Sequence, residues 1–155
     1  LMDESSGSLA IESELGVGTK VSLLFPQLPT PTWHCEGLSV PLSGVLHVCD
    51  DQEYILQSWQ LRLSKDVMAR AKFYLSTEGL PPASNLGPED RFLIDYDFGT
   101  GKKSGLSAIR DLPNPSHAVL VTGRAFEAEI QAECAEIGCK LISKDLLVSF
   151  SVTTA

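Results

Sequence analysis

Phe92, Leu93 and Ile94 run without a break into Asp95, and Tyr96, Asp97 and Phe98 lead on into the Gly/Lys/Ser loop Gly99 to Ser104. A short apolar run bounded by turn residues reads as a strand buried on both faces, as in a parallel sheet. A parallel sheet constrains the rest of the chain, because each strand must be joined to the next by a crossover, usually a helix. It also constrains the chemistry. An acid at the carboxyl end of such a strand lies where open α/β sheets place their ligand sites.

From Gly44 onward the sequence obeys that constraint. Val45 to Cys49 is an apolar strand ending in Asp50-Asp51. Gln52 to about Ser64 reads as a helix with Ile55, Trp59 and Leu63 on one face. Ala71 to Leu75 is a second strand. Gly79 to Pro88 carries Pro81, Pro82, Gly87 and Pro88, so any helix there is short or irregular. Phe92 to Tyr96 is the third strand. Ser104 can cap a helix through Gly105 to Arg110, which Pro113 and Pro115 end. Ala118 to Thr122 is the fourth strand. Ala125 to Ile137 is a helix with Phe126, Ile130, Cys134 and Ile137 on one face, closed by Gly138. Lys140 to Ser143 is the fifth strand, and Asp145 to about Phe150 reads as the start of a last, truncated helix. Five such units with right-handed crossovers predict an α/β fold over residues 43–155. It is the flavodoxin-like doubly wound type, a five-stranded parallel sheet in the order 2-1-3-4-5.

The first part of the chain reads differently. Ser8 to Ser13 and Thr19 to Phe25 are strand-like, and Glu14-Leu15-Gly16-Val17-Gly18 turns between them, so residues 1–26 are expected to form a β-hairpin. An isolated hairpin is marginal in water, so this one needs something to pack on. Residues 27–42 carry Pro29, Pro31 and Pro41 with little periodicity and read as a linker, with Trp33 docked on a neighbouring unit.

Charge and cysteine usage exclude several functions. The net charge of −8 argues against a nucleic-acid surface, which needs a basic stripe. No apolar run approaches the roughly 20 residues of a membrane span, so no direct membrane contact is expected. Cys35, Cys49, Cys134 and Cys139 form no C-x-x-C pair, so a zinc site is not expected, and reduced thiols in a cytoplasmic protein are the simplest reading.

The predicted sheet gathers four strand ends on one edge: Asp50 and Asp51, then Asp95, then Thr122, then Lys144. Three crowded carboxylates repel one another and call for a hard divalent cation, for which Mg2+ with oxygen ligands is the natural choice. A hydroxyl and an ammonium at the rim suit the outer oxygens of a phosphoryl group. The set fits phosphoryl transfer onto a carboxylate.

Those residues, in that order on those strand ends, resemble a response-regulator receiver domain. The resemblance implies that Asp95 is the phosphorylated aspartate, that Asp50 and Asp51 are the metal-binding pair, and that Thr122 is the switch hydroxyl with Lys144 as its companion lysine. The backbone carbonyl of Asp97 would complete the metal shell. Asp90, five positions before Asp95, supports that register, whereas counting back from Gly105 selects Asp97 instead. Choosing Asp95 requires a longer loop; choosing Asp97 buries a charge within the strand. The sequence departs from the family where Asp145 stands in place of a proline after Lys144, where Leu141 stands in place of a switch aromatic, and where the loop after Asp97 is basic.

The stretch Gly7 to Pro26 is similar to the C-terminal end of a histidine-kinase ATPase domain, with Gly16, Gly18 and Thr19 resembling its last glycine box. That family's ATP-binding asparagine box, first glycine box and phosphorylated histidine lie upstream and are not present. The two resemblances together imply a hybrid histidine kinase of which this chain, starting at Leu1 rather than Met, is a part. They imply a phosphodonor that is a histidine-kinase or histidine-phosphotransfer domain, and they are compatible with a homodimer. Two other functions fit the sequence. One is a pseudo-receiver that binds a kinase without being phosphorylated. The other is a phosphatase, since Asp95-Tyr96-Asp97 resembles the D-x-D of haloacid-dehalogenase enzymes.

Overall fold

The computed structural model describes residues 7–26 and 29–155. The chain divides into two compact units, Leu1–Pro31 and Thr32–Ala155. In the first, β1 (Ser8–Glu14) pairs antiparallel with β2 (Gly18–Leu24), Ser8 facing Leu24 and Glu14 facing Gly18. The turn between them needs positive φ at Gly16, which takes +82° and has open space around it. Leu9, Ile11, Val21 and Leu23 are all more than half exposed, as expected of a hairpin that cannot build a core of its own.

The second unit follows the predicted alternation. Its elements are β3 (Gly37–Val40), β4 (Leu46–Cys49), α1 (Glu53–Arg62), the single turn α2 (Lys65–Met68), β5 (Ala71–Tyr74), β6 (Arg91–Asp95), α3 (Gly105–Arg110), β7 (Ala118–Thr122), α4 (Ala128–Ile137), β8 (Lys140–Ser143) and β9 (Ser151–Thr154). Five strands form one parallel sheet in the order β5-β4-β6-β7-β8, which is the expected 2-1-3-4-5. Between β5 and β6 the proline-rich stretch makes only the 3-10 turns Thr77–Gly79 and Ala83–Asn85.

Side chains alternate across the sheet, so each strand feeds two cores. Val48, Leu93, Val119, Val121 and Ile142 pack with Leu56 and Trp59 of α1 and with Leu38 and Val40 of β3. Phe92, Ile94, Leu120 and Leu141 pack on the other face with Leu106 and Ile109 of α3 and Ile130 and Cys134 of α4. Phe126, expected on the buried face of α4, lies before the helix and is 63% exposed, although its ring meets Trp33 edge-to-face at 5.2 Å. That contact keeps Trp33 within this unit.

Two expectations are corrected. Residues 27–42 are not all linker, and the segment after Lys144 is a short 3-10 helix rather than the start of an α-helix. Cys35 N donates to the Leu141 carbonyl at 2.9 Å on the edge of β8, and β3 then pairs in parallel with β9 in a small second sheet. Lys144–Ser149 is a 3-10 turn that leads into β9. Ser-Val-Thr-Thr is rich in β-branched residues and has no helical apolar stripe, so it suits a strand. Close approach of β3 to β9 depends on Gly37, whose Cβ would stand 2.6 Å from Ser151 Oγ. Phe150, 4% exposed, anchors the turn edge-to-face against Trp59 at 6.0 Å, and the Arg62 guanidinium donates to its carbonyl at 3.0 Å.

Candidate functional site

Asp50 follows β4, and its Oδ1 accepts from the Gln52 backbone N–H at 2.9 Å, which fixes the rotamer. Asp95 ends β6 and is 4% exposed. Its backbone is pressed against the start of α3. A Cβ on Gly105 would stand 1.7 Å from the Asp95 carbonyl oxygen, and Gly105 N donates to the Tyr96 carbonyl at 2.9 Å. Gly105 therefore docks on Asp95, and the extra residues of the loop loop out through Gly99 and Gly101, both at positive φ. This accommodates the longer loop that the Asp95 register requires. The Asp97 side chain is 66% exposed and lies 4.0 Å from the Arg124 guanidinium, outside the acidic cluster.

Asp50, Asp51 and Asp95 each bring a carboxylate oxygen within 4.8 Å of the others, the one such group of potential metal ligands among the described residues. Lys144 follows β8 and reaches across to them, its ammonium 3.0 Å from Asp50 and 2.9 Å from Asp95. Where the family resemblance leads one to expect a proline, Asp145 donates its N–H to Ser143 Oγ at 3.3 Å, a contact proline cannot make. Thr122, at the end of β7, is 2% exposed, and its Oγ1 accepts from the Arg124 N–H at 3.1 Å.

The electrostatics are under-compensated. Burial raises the Asp95 carboxyl above the ordinary carboxylate range; the Lys144 bond and charge oppose this and the Asp50 charge adds to it. Burial acts to lower Lys144, but its hydrogen bonds to Asp95 and Asp50 outweigh that and hold it above its usual value. Burial, with the charges of Asp50 and Asp95 behind it, pushes the neighbouring Cys49 thiol up to about 12, so it stays protonated. One ammonium among three carboxylates leaves two negative charges, which matches one divalent cation. The all-oxygen donor set suits a hard cation such as Mg2+, with Asp50, Asp51 and Asp95 as the residues that would hold it.

Two further contacts carried no clear sequence signal. His47, mid-strand in β4, is 2% exposed. Its Nε2 is 3.2 Å from Asp90 Oδ2 and its Nδ1 is 3.0 Å from the Tyr74 hydroxyl. Because the ionised Asp90 only accepts, Nε2 carries the proton and Nδ1 accepts from tyrosine. The acid five positions before Asp95 thus ties the start of β6 to β4. Arg124 stacks over the Tyr96 ring at 5.0 Å and grips Glu127 with two guanidinium nitrogens, at 2.8 and 2.7 Å. Gly16, Gly18 and Thr19 lie on the hairpin of the first unit, where the Thr19 and Ser13 hydroxyls are 2.9 Å apart.

No family model and no curated protein matches this chain. Two similar solved structures are crystal structures of the receiver domain of the histidine kinase CKI1 from Arabidopsis thaliana. One is a point mutant, with a TM-score of 0.45 and 17% identity. The other is complexed with Mg2+ and BeF3−, with a TM-score of 0.45 and 18% identity. Each match covers 67% of this chain and 83% of that one. None of the helices among the described residues is long and apolar enough to cross a membrane.

Proposed function

We propose that the second unit is a phosphoacceptor receiver of a two-component phosphorelay, which takes a phosphoryl group from a phosphohistidine onto Asp95. The observation that carries this reading is the Lys144 ammonium bridging Asp50 and Asp95 beside Asp51 at the carboxyl edge of the sheet. In the transfer a carboxylate oxygen of Asp95 bonds to phosphorus as the histidine N–P bond breaks, and the electron pair returns to the imidazole. The environment that raises Asp95 also makes its ionised form a better nucleophile. Thr122 already accepts a backbone N–H, so its own O–H is left to donate to a phosphoryl oxygen. Lys144 can follow the new charge, since it already spans the two carboxylates. Mg2+, when bound by Asp50, Asp51 and Asp95 with the Asp97 carbonyl, supplies neutralisation of the carboxylate and phosphoryl charge. Residues 1–26 as the end of a kinase ATPase domain, a hybrid-kinase parent and a cytoplasmic location belong to the same proposal.

The test is intact-mass analysis after incubation with acetyl phosphate and Mg2+, on the wild type and on Asp95→Asn and Asp97→Asn. A single alkali-labile phosphoryl adduct, absent only in Asp95→Asn, is the expected result. Absence only in Asp97→Asn would move the acceptor by two residues. No adduct in any protein would leave a module that binds partners without being phosphorylated.

A further inference from the structure

The C-terminus of α4 brings two cysteines together. Gly138 takes φ +81° there, and the N–H groups of Gly138 and Cys139 both donate to the Cys134 carbonyl, at 2.9 and 3.1 Å. The Gly138 bond is that of an αL cap and the Cys139 bond is the 6→1 bond of a Schellman turn, which folds the second residue past the helix back over its last turn, normally to seat an apolar pair. Here the pair is Cys134 and Cys139. The hydrogen bond from the Cys139 N–H to the Cys134 carbonyl holds the two Cα atoms at most about 7 Å apart, the outer limit of what a disulfide spans. Both are free thiols.

The two thiols are not equivalent. Cys134 is 3% exposed and sits in the core with Ile130 and Leu141. Cys139 is partly exposed. Both line an open cavity of about 570 Å3 between α4 and the strand-like segment that runs along the edge of β8, with His34, Glu36, Gln131 and Lys140 at its walls. That volume is in the range of small-molecule sites. The neighbouring thiols push each other apart in acidity, Cys139 below its ordinary range and Cys134 above it. These cysteines do not join His34 or Cys35 in a group of three potential metal ligands among the described residues.

We propose that Cys134 and Cys139 form a thiol–disulfide redox site, oxidised by a small peptide disulfide of the glutathione class that enters this cavity. The Cys139 thiolate attacks one sulfur of the small disulfide. A mixed disulfide forms on Cys139, and the first small thiolate leaves and takes up a proton. The Cys134 thiol then gives up its proton and attacks Cys139 sulfur. The Cys134–Cys139 bond forms, and the second small thiol leaves. Two protein thiols lose two electrons and two protons, and one small disulfide becomes two thiols.

The test equilibrates the full chain with mixtures of oxidised and reduced glutathione, blocks free thiols with an alkylating agent and maps the peptides by mass. The expected result is that the peptide spanning residues 134 and 139 loses two hydrogens and escapes alkylation as the oxidised share rises. Reductant should reverse it, with Cys35 and Cys49 alkylatable throughout after unfolding. Cys134→Ser should stop at a stable mixed disulfide on Cys139, and Cys139→Ser should leave Cys134 without one. The proposal is overturned if wild-type Cys134 and Cys139 stay alkylatable at every ratio. It is equally overturned if Cys139 holds a mixed disulfide that Cys134 does not resolve. The wild-type arm needs no variant to fold, and neither arm depends on phosphorylation of Asp95.

Discussion

Replacing Lys144 with methionine removes the one cation that touches both buried carboxylates and keeps most of the side chain's apolar volume. The two contacts are 3.0 and 2.9 Å, and the Lys144 side chain is 22% exposed. At an effective dielectric of 20, each attraction is worth about 5 kcal/mol before desolvation is subtracted. Removing one partner of such a buried pair typically costs about 3–5 kcal/mol, and the partial exposure of Lys144 places the expected loss near about 3 kcal/mol. With a urea m-value of about 1.5 kcal/mol per molar, the midpoint should fall by about 2 M in metal-free buffer at neutral pH. Trp33 and Trp59 both lie in the second unit, so tryptophan fluorescence reads its unfolding alone. Two conditions should shrink the loss. Saturating Mg2+ would restore positive charge to the cluster and bind the folded state only. Acid would do so as well. The folded Asp95 carboxyl is raised above its unfolded value, so its charge is disfavoured in the fold above that folded pKa and the penalty is relieved as pH falls through it. A loss that is the same with EDTA, with Mg2+ and at pH 5, or one below about 1 kcal/mol, would refute the argument that Lys144 neutralises this cluster.

Gly105→Ala should cost at least about 3 kcal/mol and remove the phosphoryl adduct proposed for Asp95, because its Cβ meets the Asp95 carbonyl at 1.7 Å and neither backbone can yield without moving the other. Gly138→Ala, with no atom within 4 Å of its Cβ and only a positive φ against it, should cost about 1 kcal/mol in the same urea titration. Asp90 is buried, which would raise it, but N–H donors from Val45 and Gly87 and the bond from His47 hold it below the usual carboxylate range. Its stabilisation is therefore present above the unfolded carboxyl pKa and lost as pH falls through the folded one. Asp90→Asn should cost about 2 kcal/mol at pH 7 and flatten that acid-side decline. Deleting Ser151–Ala155 removes β9 from β3 and bares Leu38 and Val40, and should lower the denaturation midpoint of the second unit while leaving its parallel sheet detectable by circular dichroism.

The central strand, its acid and the order of the five strands could be read from the chain because burial on both faces leaves a local mark. Phe92-Leu93-Ile94 and Val119-Leu120-Val121 are continuous apolar runs, and parallel connection by crossovers leaves few possible orders. Helix signals at Ser104 and Gly138 were equally local, since each rests on one side-chain cap or one positive φ. The convergence of Asp50, Asp51, Asp95 and Lys144 followed from strand polarity alone.

What the chain order could not convey were pairings between distant segments. β3 looks like linker because its four residues find their hydrogen-bond partners in β9, more than a hundred positions later. That Asp95 lies buried beside Lys144 while Asp97 is exposed follows from packing such as that of Gly105 on the Asp95 carbonyl, a distance with no sequence pattern of its own. The His47–Asp90–Tyr74 chain likewise exists only once strands are folded against each other. Local chemistry wrote the strands, their order and the acids at their ends into the sequence. Only tertiary packing decided which acid is buried beside Lys144 and what covers the sheet where a last helix was expected, because both depend on contacts whose partners lie far apart along the chain.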